Sequence, residues 1–285
     1  MWRILLLVFA DWEEIQRRLN AGQYREALTQ LELKQERNAD WHVLASKAYD
    51  AMNVPERAVA EAEAALRLNP RSEPAHVQLG YVFLSRNTPL AAVEIFTQAE
   101  QIFPQSVVVR LGKGLALKEL QRYDEAEKTL AACWPHPLAF DALATVLVQR
   151  VKFAEAKDLA ARFIRMNADD YRGYYFLAAA KDGLQEQDAR STVKESLARK
   201  TDFAASHALL GKIQLREGEL QAAVASFEEA IRHRPNLIQA HLQLAQAYRK
   251  LGLAADAQRE FAIVRDLTRK EAQPKPSLRY HRGQN

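Results

Sequence analysis

The sequence predicts an all-α protein, a solenoid of about eight helical hairpins, and three observations carry that reading. Alanine and leucine dominate a chain of 285 residues with only 10 glycines and 10 prolines, a composition that favours helices over a turn-rich sheet. A ladder of alanines, at Ala27, Ala58, Ala92, Ala126, Ala156, Ala189, Ala223 and Ala257, climbs the chain in steps of 31, 34, 34, 30, 33, 34 and 34. A second ladder, Ser46, Gly80, Gly114, Ala144, Ala178, Gly211 and Ala245, runs 11 or 12 residues ahead of the first.

Two registered small positions per unit read as a hairpin whose helices cross closely at those points, while larger side chains fill the space around the crossing. One hairpin cannot bury its own apolar faces. Each must stack on the next, so stability becomes a sum of nearest-neighbour interfaces along a single solenoid over residues 11–270.

Along the chain, "MWRILLLVFA" carries one positive charge at Arg3, an apolar run from Ile4 to Phe9, and small residues at Val8 and Ala10. Residues 1–10 read either as a short signal peptide, which would send the chain to the periplasm or cell envelope, or as an extension of the first helix of a cytoplasmic protein. The run is too short to cross a bilayer, which takes about 20 apolar residues. Tyr24-Arg25-Glu26-Ala27 opens the second helix of the first hairpin, and the same start recurs at Tyr123-Asp124-Glu125-Ala126 and Phe153-Ala154-Glu155-Ala156. In the third hairpin Leu79-Gly80 is followed by Ala92, Phe96, Ala99 and Pro104; in the seventh Leu210-Gly211 is followed by Ala223, Phe227, Ala230 and Pro235. The fourth has Lys113 where others have leucine, so either its aliphatic stem covers the core or the unit packs differently. The short step after Ala126 falls at "CWPHP", where Pro135 and Pro137 stop a helix about one turn early. The sixth hairpin lacks the aromatic of its second helix and offers Val193 instead. "EAQPKPSLRYHRGQN", residues 271–285, has two prolines and no helical spacing, and reads as a disordered basic tail.

The pattern Leu-Gly, then Ala, Phe, Ala and Pro at a period of about 34 residues resembles the tetratricopeptide repeat (TPR). The resemblance implies a right-handed α-solenoid whose first helices line the inner surface, a non-catalytic protein-interaction role, and a protein or peptide segment as partner. TPR adaptors that hold chaperone carboxyl termini carry Lys, Asn and Arg across successive first helices. Here the corresponding region shows Val43 and Lys47, Val77 and Tyr81, and Leu111 and Leu115, so that ligand is not supported.

No catalytic, metal or cofactor constellation emerges. His42, His76, His207 and His241 hold one equivalent place in their units, but equivalent places in stacked hairpins lie roughly 8–10 Å apart, too far for a shared metal shell. Cys133, the only cysteine, has Pro135 between it and His136 and no group to orient that histidine. Gly112-Lys113-Gly114 is too short to cradle a phosphate, and Asp169-Asp170 reads as a helix cap ahead of "YRGYYFLAAA". A net charge of +4 spread among interspersed acids and bases disfavours nucleic acid.

The remaining candidate is the inner face of the first helices, with Val77, Tyr81, Leu84, Val108, Leu111 and Leu115 as an apolar floor, and Lys212, Arg216 and Arg249 as a basic stretch farther along. Such a groove suits an extended or helical peptide with an apolar anchor and an acidic portion. Single-stranded RNA read by successive repeats, or an enzyme carried on another chain, are the alternative partners.

Overall fold

The computed structural model describes residues 12–272, so the leader-like stretch 1–10 and nearly all of the basic tail lie outside the described residues. Sixteen helices and no strand occur among the described residues. They divide into two compact units, 12–133 and 134–272. The first holds four hairpins: α1 (12–20) with α2 (Tyr24–Glu32), α3 (Ala39–Ala51) with α4 (Pro55–Leu68), α5 (Glu73–Ser85) with α6 (Pro89–Ile102), and α7 (Val107–Glu119) with α8 (Tyr123–Ala131). The second holds four more: α9 (Pro137–Gln149) with α10 (Phe153–Met166), α11 (Tyr171–Gly183) with α12 (Ala189–Arg199), α13 (Ala204–Glu217) with α14 (Leu220–His233), and α15 (Ile238–Lys250) with α16 (Ala254–Ala272).

Local chemistry explains these boundaries. Asn38, Ser72, Ser106 and Asp170 each accept a backbone N–H of the first turn of α3, α5, α7 and α11, satisfying donors that a helix start leaves open. Of Asp169-Asp170, the second is thus the cap. Pro55 and Pro89 open α4 and α6, where the missing N–H costs nothing. α8 has 9 residues against 14 in α4, α6, α10 and α14, and the chain then passes through Pro135 to Pro137 at the start of α9. The shortened repeat is a shortened second helix.

Every hairpin turn carries one residue with left-handed backbone: Gly22, Asn53, Asn87, Gln121, Val151, Gln185, Gly218 and Gly252. That conformation ends the first helix and swings the chain into the second.

Both ladders are buried along their whole length, and the alanines of the first are at most 3% exposed. Their closeness is visible where the larger side chains meet them. A Cβ added to Gly80 would stand 2.5 Å from the Phe96 ring, and Gly112 of the next hairpin presses on the same ring from α7. Phe96 is therefore held between two glycines, one from its own hairpin and one from its neighbour. Gly211 gives Phe227 the same relief. In the second hairpin the Ser46 hydroxyl donates to the Ala58 carbonyl at 2.7 Å, tying one ladder to the other. Lys113 resolves in favour of a covering stem: its side chain is mostly buried and its ammonium reaches Glu100 at 2.8 Å. In the sixth hairpin Val193, in the place that Phe96 and Phe227 hold in theirs, is fully buried, and the Ser196 hydroxyl, in the place of Ala99 and Ala230, bonds the Tyr171 carbonyl and Ser206.

Within each unit successive helices pack in chain order, and first helices also meet each other: α3 with α5, α5 with α7, α9 with α11, α11 with α13, α13 with α15. Second helices do not meet the next second helix among the described residues. The first helices therefore line the inner side of each unit. None of the described helices is long and apolar enough to cross a membrane.

Candidate binding groove

In the first unit the inner face of α1, α3, α5 and α7 holds two adjoining hollows. One, of about 370 Å³, is lined by Val77, Tyr81 and Val108, with Glu73 and Gln78 at its polar side. The other, of about 520 Å³, is lined by Trp12, Val43 and Leu44, with Glu13 and Asp40 beside them. Lys47 and Pro74 belong to both.

Repeat geometry sets this arrangement. Each first helix buries one stripe against its own partner helix and a second against the neighbouring first helix, leaving a narrow ridge toward the inner side. Val77 and Tyr81 are one turn apart on that ridge of α5. Both are half-buried because their inner sides rest on the core, Tyr81 edge-on to Phe96 with ring centroids 5.6 Å apart. Burial pushes the Tyr81 phenol up from its ordinary value. Val108, 41% exposed, closes the hollow from α7.

Lys47, at the junction, is the electrostatic feature of the face. Burial pulls its ammonium below the ordinary lysine range, and no carboxylate pairs with it among the described residues. The nearby Asp50 is already engaged, held by Arg86 at 3.0 Å and by the Ser85 hydroxyl at 2.9 Å. A half-buried cation with no ion pair among the described residues can still take an incoming carboxylate, although Glu13, Asp40 and Glu73 line the same hollows.

The structure sorts the remaining expected floor residues differently. Leu111 is only 2% exposed, so it belongs to the interior and is withdrawn from the docking face. The reason is the close approach of α7 to Phe96 through Gly112, which draws that side of α7 into the seam between hairpins. Leu84 and Leu115 are half-buried and lie outside both hollows.

The second unit has its own hollow of about 440 Å³ on α9, α11, α13 and α15, lined by Val148, Tyr175, Ala179, Ala208 and Leu209 with Gln239 and Gln243. Lys212 lines it, but not as a free cation. Asp182, from the last turn of α11 and 1% exposed in its side chain, receives Lys212 at 2.9 Å and also pairs with Arg216. The basic stretch thus has a buried counter-ion, which the linear sequence did not reveal because Asp182 lies 30 and 34 residues from its partners. Arg249 is exposed on α15.

All four of the equivalent histidines make local bonds, His207 to the Thr201 carbonyl at 2.8 Å. His42 and His241 each reach a glutamate on the second helix of their own hairpin, Glu61 and Glu260, at 2.6 Å, and His76 bonds the Ser72 carbonyl at 2.9 Å. Cys133 is buried, with its thiol pushed up by desolvation.

Comparison with known proteins agrees with this construction. The family described as tetratricopeptide repeat matches residues 83–136 by one model and residues 43–107 and 187–238 by another. This chain is a TPR protein. The TPR chain resembles a solved tetratricopeptide repeat protein from Parabacteroides merdae, at 15% identity and a TM-score of 0.66 over 84% of this chain and 99% of that one. It also resembles a chain of the APC/C hetero-tetramer Cut9–Hcn1, at 17% identity and a TM-score of 0.65, covering 82% of this chain and 48% of that one. At these identities the likeness is one of fold. No curated protein matches the TPR chain in sequence. TPR arrays are protein-interaction scaffolds, and their repeats are typically non-catalytic.

Proposed function

We propose that this TPR protein holds a peptide or protein segment along the first-helix face of its first unit, with one apolar side chain seated among Val77, Tyr81 and Val108 and a carboxylate on Lys47. The half-buried, unpaired Lys47 at the meeting point of the two hollows carries the reading. It supports an acidic, apolar-anchored segment over a purely apolar one, because an unanswered ammonium in a trough is a standing desolvation cost that a carboxylate relieves. In the second unit, Asp182 neutralises much of Lys212 and Arg216, so that face offers orientation more than attraction. The leader-like residues 1–10 are what favour a cell-envelope or secretion assembly as the setting, with the cytoplasm as the alternative.

A peptide library selected on the full chain tests this. Enriched peptides should pair a large apolar residue with a nearby Asp or Glu. Lys47→Glu and Val108→Asp, both changes at residues with solvent access, should each weaken the selected peptide at least ~10-fold while helicity by circular dichroism is kept. Equal binding by both variants would sink the groove assignment, and binding lost only on nuclease treatment of natural extracts would favour RNA.

A further inference from the structure

Among the described residues, one set of metal-ligating side chains comes together across two helices of the second unit, from residues that line none of the hollows described above. His207, in the first turn of α13, lies against the last turn of α14, which carries Glu229 and His233. One ligand atom from each of the three lies within 4.8 Å of the others. The two imidazoles are stacked, with centroids 5.6 Å apart and planes 22° from parallel. His233 Nε2 stands 3.7 Å from Glu229 Oε2. Four-residue spacing puts Glu229 and His233 on one face of α14, and the hairpin brings His207 across to complete a facial set.

We propose that His207, Glu229 and His233 form a binding site for a borderline divalent transition ion such as zinc. Two imidazoles and a carboxylate are a zinc donor set, and bonds of about 2.0–2.2 Å in a tetrahedral arrangement put ligand atoms about 3.3 Å apart. The Glu229–His233 edge is already close to that. The other edges close by small rotations of side chains that have solvent on one side, leaving a fourth position for water or a partner's side chain. Two further observations favour the ion. The Thr201 carbonyl lies 2.8 Å from His207 Nε2; a carbonyl only accepts, so Nε2 carries the proton and donates, which leaves the lone pair on Nδ1. This is the outer hydrogen bond that fixes the tautomer of a ligating histidine. The site also sits at the carboxyl end of α14, where unpaired carbonyls give a partial negative charge. Arg232 works in the opposite sense, since it pairs with Glu229 and must yield the carboxylate to the ion.

Such an ion ties the start of α13 to the end of α14 and closes the open end of the seventh hairpin. It shares no residue with the peptide groove and does not depend on it.

Zinc and cobalt(II) titrations of the full chain test it, by calorimetry and, for cobalt, by the absorption of its tetrahedral complexes. One ion per chain is expected, weakened at least ~10-fold by His207→Ala and by His233→Ala, weakened by Glu229→Gln, and tightened by Arg232→Ala. His42→Ala, which alters a histidine paired with glutamate in another hairpin, should leave it unchanged. Saturating zinc should raise the Tm by about 5 °C in the wild type and not in His233→Ala, whose metal-free Tm matches the wild type. Zinc bound equally well by the His207→Ala, His233→Ala double variant, or no ion bound at millimolar zinc, would overturn the assignment.

Discussion

Adding one methyl group at Gly80 tests the packing rule on which the repeat rests. The Cβ would lie 2.5, 2.6 and 2.9 Å from three atoms of the Phe96 ring. Carbon atoms in contact settle at about 3.5–4.0 Å, so the ring must retreat by about 1 Å. It has nowhere to go, because Gly112 of α7 presses on its other side. Overpacking of this kind costs about 1–3 kcal/mol, against a gain of about 1 kcal/mol for replacing glycine in a helix interior, so Gly80→Ala should destabilise the chain by up to about 2 kcal/mol. Phe96→Leu removes the obstruction. In that background Gly80→Ala should reverse sign and stabilise by up to about 1 kcal/mol, since only the helix-propensity gain remains. Denaturant unfolding of the four chains, followed by circular dichroism, measures the cycle. If Gly80→Ala stabilised both backgrounds alike, Phe96 would not be pinned between hairpins and the small-residue ladder would need another explanation.

Two further outcomes are expected. Val151 has left-handed backbone, a conformation a β-branched side chain resists, and is 69% exposed with little packing to lose; Val151→Gly should therefore raise stability by about 1 kcal/mol, read as a higher denaturant midpoint. Burial works to raise the Asp170 carboxyl, but the hydrogen bonds and charge of Arg172 outweigh it and hold Asp170 below the usual carboxylate range. A depressed carboxylate stabilises above its unfolded value, so the advantage of wild type over Asp170→Asn, which keeps the cap but loses the ion pair, should be about 0.5–1 kcal/mol at neutral pH and fade below about pH 4. Urea titrations at several pH values give the profile, and a constant difference down to pH 3 would refute it.

The hairpins were legible because their determinants are local and repeated: alanine and glycine at crossings, aromatic rings between them, capping residues and prolines at the ends. The site was legible only in part. Val77, Tyr81 and Val108 follow from which ridge of a first helix faces inward, and spacing gives that. Leu111 holds in α7 the place that Val77 holds in α5, yet it is buried, because the depth of α7 depends on how far Gly112 lets Phe96 approach. Asp182 beneath Lys212 and Arg216, and Glu229 and His233 beside His207, arise from contacts between helices. Comparing histidines only with their equivalents one repeat away passed over the neighbour across the same hairpin, where Glu229-x-x-x-His233 was the available signal.

The eight left-handed turn residues, three of them glycine, have a consequence for how such a chain changes over time. Each sits at the turn where a hairpin can fray, and none lines the three hollows described above. Exchanging glycine for asparagine or glutamine at these corners retunes the order of local opening while the recognition surface stays as it was. Durability and partner choice are thus inherited on separate residues, and selection can adjust either one alone.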